Sequence, residues 1–214
     1  MIQIKSIDTG KVLLEVPGET LRGYEFNGTD LSGADFSKHD LTGAAFRNLR
    51  LSRAVFQGAV MATARFQNVT GNAAVFDSAD LSGAEFSDTP FEGASFNLCQ
   101  AVGSNFRHTK CRNAAFKKAN FQNSDFGFAD LKADFFNANL TGVNFVSADL
   151  SGASFAHADM RKSDLSSAKI IGTNFEHAKL NGSISTNGQV WGASIAFQRK
   201  PRRPWWQVWG KQPS

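Results

Sequence analysis

Large apolar residues recur at every fifth position along most of the chain. The spacing runs from Leu21 to Leu131, skips one residue, and resumes from Phe135 to Leu180. Of these 33 central positions, Phe occupies 17, Leu 10, Met two and Ile one. A small side chain stands two residues before most centres. A period of five matches neither the 3.6 residues of a helix nor the 2 of a strand. It predicts a chain that turns a corner every five residues, with one large and one small side chain pointing inward on each side.

Four such sides close a coil of about twenty residues, and the coils stack through backbone hydrogen bonds. Two residues after the centre, 12 positions are Gly and five are Asn, the residues that adopt positive φ most readily. Phe recurs every ten residues, which places it on two opposite sides, with mostly Leu on the other two. The skipped residue shortens one corner and keeps the order of the sides. Eight coils would stand roughly 40 Å tall.

The core is therefore predicted to be a ladder of phenylalanines. Its members are Phe26, Phe36, Phe46, Phe56, Phe66, Phe76, Phe86, Phe96, Phe106, Phe116, Phe126, Phe135, Phe145, Phe155 and Phe175. Gly71 supplies no large side chain at its central position, so we expect a gap and the weakest packing in the third coil.

Several segments carry a recognisable motif. They are Ala34-Asp35-Phe36-Ser37, Ala79-Asp80-Leu81-Ser82-Gly83 and Ala148-Asp149-Leu150-Ser151-Gly152. Each resembles the A(D/N)LXX motif of pentapeptide-repeat proteins, and the resemblance covers residues 19–182. It implies an all-β fold, a right-handed quadrilateral parallel β-helix.

The two ends depart from the repeat and are predicted to cap it. Residues 1–18 read as a β-hairpin with its turn at Asp8-Thr9-Gly10, residues 19–184 as the β-helix, and residues 185–214 as a C-terminal cap and basic tail. All four tryptophans stand in this last part: Trp191, Trp205, Trp206 and Trp209. The tail could fold back on the last coil, dock a partner or a second copy, or lie at a membrane interface.

Charge limits the classes of partner. The formal net charge is +4, but residues 199–214 hold five cations and no acid, so residues 1–198 sum to −1. A nucleic-acid-binding domain should be basic over a whole face, so nucleic acid is not an expected partner. Two cysteines cannot form a disulfide framework, which favours a cytoplasmic location. We expect neither a transmembrane helix nor a signal peptide.

No group of residues has the composition of a catalytic site. Asp8-Thr9-Gly10 matches the triplet of aspartic proteases, but those enzymes need two such aspartates, and a hairpin turn favours the same residues. His157 and His177 should stack one coil apart as a solvated pair without a third metal ligand. Cys99 and Cys111 are predicted to be buried thiols. We therefore expect no enzymatic activity, no metal and no cofactor.

Outward positions supply the candidate interface. Phe128 and Phe136 stand beside the shortened corner, while Val55 and Val75 should stack on one side with Val60 close by. Clustered exposed apolar groups indicate a contact surface. The candidate interface residues are Phe128, Phe136, Val55, Val75, Trp191, Trp205, Trp206 and Trp209.

A basic run stands in the middle of the array. It consists of Arg107, Lys110, Arg112, Lys117 and Lys118. Acidic stretches flank it on both sides, so pairing between neighbouring coils is the favoured interpretation over phosphate binding.

The leading functional hypothesis is a rigid, non-enzymatic scaffold that binds another protein, with a possible homodimer through the C-terminal end. The family resemblance implies an alternative. Pentapeptide-repeat proteins of the quinolone-resistance type resemble a DNA duplex and bind type II topoisomerases such as gyrase, protecting them from quinolones. A duplex mimic should be strongly acidic along its length, which the charge of −1 over residues 1–198 does not match.

Overall fold

The computed structural model describes residues 1–192, which form a short hairpin followed by a column of stacked coils. Strands β1 (Ile2–Lys5) and β2 (Val12–Val16) pair antiparallel. Between them, the Ser6 hydroxyl oxygen accepts the backbone N–H groups of Asp8 and Thr9 at 3.3 Å, and Gly10 adopts a φ of 67°. The Asp-Thr-Gly triplet is thus a hairpin turn.

The hairpin is bonded to the first coil. The N–H of Asp35 donates to the carbonyl of Lys5 at 2.8 Å, and the N–H of Ile7 donates to the carbonyl of Gly33 at 2.8 Å. The Arg53 guanidinium also pairs with the Asp8 carboxylate at 2.9 Å. The hairpin therefore covers the edge of the first coil.

The coils form a right-handed quadrilateral β-helix. We name its sides after the first coil: side A is centred on Leu21, side B on Phe26, side C on Leu31 and side D on Phe36, and each recurs one coil later. On side B, strands β3 (Glu25–Asn27), β4 (Ala45–Arg47) and β5 (Arg65–Gln67) pair in parallel. Elsewhere single parallel bridges join successive coils up to Asp164 and Ile184.

The sequence separation between bridged residues shows where one residue of the repeat is missing. Bridged residues are 20 positions apart from Asp30↔Arg50 onward, and 19 apart across the deletion, as in Ala115↔Asp134. The distance returns to 20 at Asp134↔Ser154. One corner is shortened, and the order of the sides is unchanged.

The Phe side chains of sides B and D fill the interior as two facing stacks. Phe56, Phe76 and Phe96 lie in one stack with ring centroids 4.8 Å apart and planes 3° from parallel. Rings of the opposite stack meet them edge to face, as Phe66 meets Phe76 at 6.0 Å and 83°. Every member of the predicted ladder is buried, with Phe175 the most exposed at 8%.

The expected gap at Gly71 is wrong. A Cβ atom on Gly71 would lie 2.1 Å from a ring carbon of Phe91, which occupies the same column one coil later. The Phe91 ring also meets Phe66, Phe76 and Phe86 edge to face. The missing side chain makes room for a large neighbour, so the third coil is filled.

The corners impose one backbone conformation on many residue types. Of the 33 residues two positions after a centre, all except Ala133 adopt positive φ, and 20 of them are not glycine. Ala133 lies at the shortened corner. Positive φ is costly for bulky side chains, and Leu98 and Phe128 are the large apolar residues that adopt it, at 61° and 60°.

Buried hydroxyls occupy some of the small inward positions. Thr89, Thr109 and Ser163 each donate to the carbonyl three residues earlier, and in residues 1–192 no buried side-chain polar atom lacks a hydrogen-bond partner. Satisfied hydroxyls avoid the free-energy penalty of burying a polar group.

The C-terminal end of the column is closed by a short return of the chain. Ile184 and Val190 form an antiparallel bridge, and Trp191 exchanges backbone hydrogen bonds of 2.8 Å with Gly182 and Ser183. The Trp191 ring lies 6.5 Å from that of Phe175. Trp191 thereby covers the last coil. The described part of the chain contains no helix with the length and apolarity to cross a bilayer.

Candidate interaction surfaces

The predicted interface residues do not form one cluster. Phe128 follows Phe126 on side B, whereas Phe136 follows Phe135 on side D, and those two central rings face each other across the core at 6.1 Å. Val55 lies on side D. Phe128 and Phe136 therefore point outward from opposite faces, and the expectation of a single patch at the shortened corner is wrong.

On side B, Phe128 is an exposed ring held by its neighbours. It is 48% exposed and stacks on His108 of the preceding coil, with centroids 5.0 Å apart and planes 16° from parallel. The Arg107 guanidinium lies 5.0 Å from the Phe128 centroid and pairs with Asp125 at 3.3 Å. Stacking and cation–π contact hold this ring in one orientation.

On side D, three aromatic rings follow one another. His157 and His177 stack with centroids 4.8 Å apart, as their spacing predicts, and Phe136 meets His157 edge to face at 5.5 Å. Both imidazoles are exposed. Residues 1–192 contain no group of three or more His, Cys, Asp or Glu side chains that could bind a metal ion.

In the coils of side D nearer the N-terminus, the outward surface is apolar. Val55 and Val75 are bridged one above the other and half-buried. Val60, at the adjoining edge of side A, is 41% exposed, and Leu98 is 54% exposed. These four side chains contribute no charge or hydrogen bonding to the surface.

Acids and cations pair mainly between neighbouring coils. Nine Arg or Lys side chains lie within 4 Å of an Asp or Glu in the described residues, and seven of these pairs join adjacent coils. Within the basic run, Arg107, Arg112 and Lys117 pair with Asp125, Asp130 and Asp134 at 3.3, 2.5 and 3.2 Å. The expected pairing is confirmed for these three cations.

The acids of one coil are an exception. They are Asp77, Asp80, Glu85, Asp88 and Glu92, and among residues 1–192 none of them has a cation within ion-pair distance. This coil is an acidic band around the column, adjacent to the basic run of the next coil.

Both cysteines are buried free thiols. Burial raises the pKa of the Cys111 thiol to about 12 and also raises the pKa of Cys99. The nucleophilic form of cysteine is the thiolate. Neither side chain is therefore suited to nucleophilic chemistry.

The surface hollows are shallow and polar. One of about 410 Å³ is lined by His157, Asp159, Arg161, Lys179 and five neighbours. The Arg161 guanidinium there donates two hydrogen bonds to Asp159 at 2.8 and 2.7 Å, and these bonds lower the pKa of that carboxyl group. Arg161 is thus engaged within the chain.

Comparison with known families accounts for the periodicity. The family model described as pentapeptide repeats (8 copies) matches residues 20–48, 40–70, 64–97, 102–133, 132–166 and 148–184. The chain belongs to the pentapeptide-repeat family.

The chain is similar to solved structures of other pentapeptide-repeat proteins. HetL, a pentapeptide-repeat protein involved in heterocyst differentiation regulation in the cyanobacterium Nostoc sp. strain PCC 7120, is 20% identical. The match covers 79% of this chain and 92% of HetL, with a TM-score of 0.53. QnrB1, a plasmid-mediated fluoroquinolone resistance protein, is 22% identical over 72% of this chain and 82% of its own, with a TM-score of 0.46. A search of curated protein sequences finds no match.

Part of the predicted interface falls beyond the described residues of this pentapeptide-repeat protein. Trp191 is half-buried against the last coil. Trp205, Trp206 and Trp209 lie outside residues 1–192, and a homodimer through the C-terminal end stays a prediction.

Proposed function

We propose that this pentapeptide-repeat solenoid is a non-enzymatic scaffold that binds another protein through its outer faces. The observation that carries the proposal is the exposed ring of Phe128. It adopts a costly positive φ for a bulky residue, contributes nothing to the core, and is held by His108 and Arg107. Exposed aromatic side chains in fixed orientations are typical anchors of protein interfaces.

Phe136 offers a second anchor on the opposite face, where His157 supports it. Two anchors on opposite sides of a rigid column would hold two partners, or two parts of one partner, at a set separation. We place the scaffold in the cytoplasm, because both cysteines are free thiols and reduced thiols are typical of that compartment.

The alternative is binding to a type II topoisomerase as a duplex mimic. The ion pairs weigh against it, since the cations of adjacent coils neutralise many of the acids that would have to imitate phosphates. A gyrase supercoiling assay with and without a fluoroquinolone separates the two functions. Inhibition or rescue at micromolar protein would establish the alternative, and no effect at tens of micromolar would favour the scaffold.

The scaffold itself is tested by comparing full-length variants as affinity baits. Phe128→Ser and Phe136→Ser should each remove a specific set of co-purifying proteins that the wild type retains. Gln122→Ser, an exposed polar position, is the control and should retain both sets. Unfolding midpoints of all four proteins verify that they are folded. A partner set unchanged in both Phe variants would contradict the assignment of these rings as anchors.

A further inference from the structure

One region of the surface combines apolar groups with acidic side chains that accept hydrogen bonds but have no ion-pair partner among residues 1–192. Three consecutive coils contribute residues 55–60, 75–80 and 95–102 to side D and the adjoining edge of side A, and we call this region the Asp77 face. Its charged side chains are Asp77 and Asp80, with no cation in the three segments. Neither carboxylate has an ion-pair partner among residues 1–192.

The apolar residues of the Asp77 face lie around these carboxylates. Val75 precedes Asp77 on the same side, and Val60 is bridged to Asp80. Leu98, at a corner where positive φ disfavours a bulky residue, is 54% exposed. Apart from Phe128, the other positive-φ corners of residues 1–192 hold glycine, alanine, polar or charged residues, so the folding of the corner does not explain a leucine here.

The chain carries a segment with the complementary chemistry. Residues 199–211 contain five cations and no acid, with three tryptophans between Arg203 and Lys211. Cationic groups would pair with the two unneutralised carboxylates, and indole rings would cover the valines and the leucine. We propose that the Asp77 face is the docking site of the chain's own C-terminal segment, residues 199–211.

The length of the intervening chain permits this contact within one molecule. The edge of side A at Asp80 lies five bridges before Lys179 in the last coil, about 24 Å along the axis at ~4.8 Å per coil. Trp205 follows Gly192 by 13 residues, which span up to about 43 Å when extended. The remaining length covers the path around one side of the column. A tethered segment binds at high effective concentration.

The tryptophans of the segment are not needed to close the column. Trp191 already covers the last coil, leaving Phe175 8% and Leu180 4% exposed. Docking on the Asp77 face would instead mask a second surface of the scaffold. The inference does not rest on the proposed function, because the contact is internal to the chain.

Photo-crosslinking of the full-length protein tests the contact. With p-benzoylphenylalanine in place of Trp206, irradiation should give crosslinks within one chain to residues 55–60, 75–80 or 95–102. The double variant Val60→Lys with Leu98→Lys should lower their yield about fivefold, as expected when interface anchors are replaced by repulsive charge. Lys179 and Lys118 occupy the positions of Val60 and Leu98 in other coils, so the fold accommodates both substitutions.

The matched control adds the same charge on the opposite face. Val146→Lys with Ser147→Lys on side B should leave the crosslink yield unchanged. Crosslinks that map elsewhere, or that persist in the Val60→Lys, Leu98→Lys protein, would overturn the proposal. Crosslinks to the Asp77 face only in a product of twice the mass would also overturn it, since the occupant would then be a second copy.

Discussion

The ring of Phe91 occupies the volume that a side chain at Gly71 would require. The two residues lie in the same column of side C, one coil apart, and a Cβ on Gly71 would approach the ring to 2.1 Å. An apparent defect of the repeat at one coil is therefore matched by a larger residue in the next. The pair is a complementary packing unit inside an otherwise regular column.

Gly71→Ala should destabilise the protein by overpacking. We expect a loss of about 1–3 kcal/mol in the free energy of unfolding, because the core around the Phe91 ring offers no space for it to move. Equilibrium denaturation measures the loss. Adding Phe91→Leu should recover part of it, so that the double variant is more stable than the sum of the single changes indicates. Strict additivity would show that the two residues do not share the volume.

Phe76→Ala tests the ladder. Its ring lies between those of Phe56 and Phe96 at 4.8 Å on either side, and its removal leaves a cavity that the stacked coils cannot close. The expected loss is about 3–5 kcal/mol, measured by denaturant unfolding. Phe136→Ala, which removes an exposed ring, is the control and should cost far less. Similar losses in both variants would argue against a rigid core.

Asp40 should contribute stability that depends on pH. The Thr42 hydroxyl donates to its carboxylate at 2.6 Å, the Thr42 N–H donates at 3.1 Å and Arg22 donates at 2.7 Å. These bonds lower the pKa of Asp40 from 3.8 to about 2. Since the folded pKa lies below the unfolded one, the contribution is complete well above pH 4 and is lost as the pH falls through 2.

Comparison of wild type with Asp40→Asn measures this contribution. The difference in unfolding free energy should be constant near neutral pH and shrink between about pH 4 and pH 2. Thr42→Val removes the principal hydrogen bond, so an NMR titration of that variant should show the pKa of Asp40 closer to 3.8. A difference that is independent of pH down to 2 would contradict the assignment.

Cys99 and Cys111 should be inert in the folded protein. With a pKa of about 12, Cys111 is roughly one part in ten thousand thiolate at pH 8, and burial also blocks access by a reagent. A disulfide reagent such as DTNB should therefore modify neither thiol until denaturant unfolds the chain. Gln57→Cys, at an exposed position, supplies a control thiol that should react at once. Rapid modification of the native cysteines would indicate local opening of the coils.

The period of five is a local signal, and for that reason it predicts much of the fold. Each centre and corner is specified within five residues, so the sides, the stacked rings and the shortened corner could be predicted from the sequence. The packing of Gly71 could not be predicted from the period alone, because its partner lies 20 residues away. A signal for it exists, since Gly71 and Ala101 each stand one coil before a phenylalanine outside the main ladder, Phe91 and Phe121.

The surface was harder to predict than the core. Phe128 and Phe136 lie close together in the sequence, yet each side change turns the chain by a corner, and two changes place them on opposite faces. Their contacts with His108 and His157 join residues of different coils. Such contacts depend on rotamers, which the repeat does not specify, whereas the spacing alone sufficed for the stack of His157 on His177.

At each end of the column, an antiparallel segment covers the terminal coil, and this arrangement opposes aggregation. A β-helix grows by adding coils in parallel, so an uncovered terminal coil would present a template for another molecule. Here the first coil meets an antiparallel segment through the bridge of Ser6 and Ala34, and the last coil is closed by the antiparallel bridge of Ile184 and Val190. Because both bridges run against the direction of the coils, they interrupt the parallel template at each end. The hairpin and the terminal return thus protect a repetitive β-structure from polymerising into fibres.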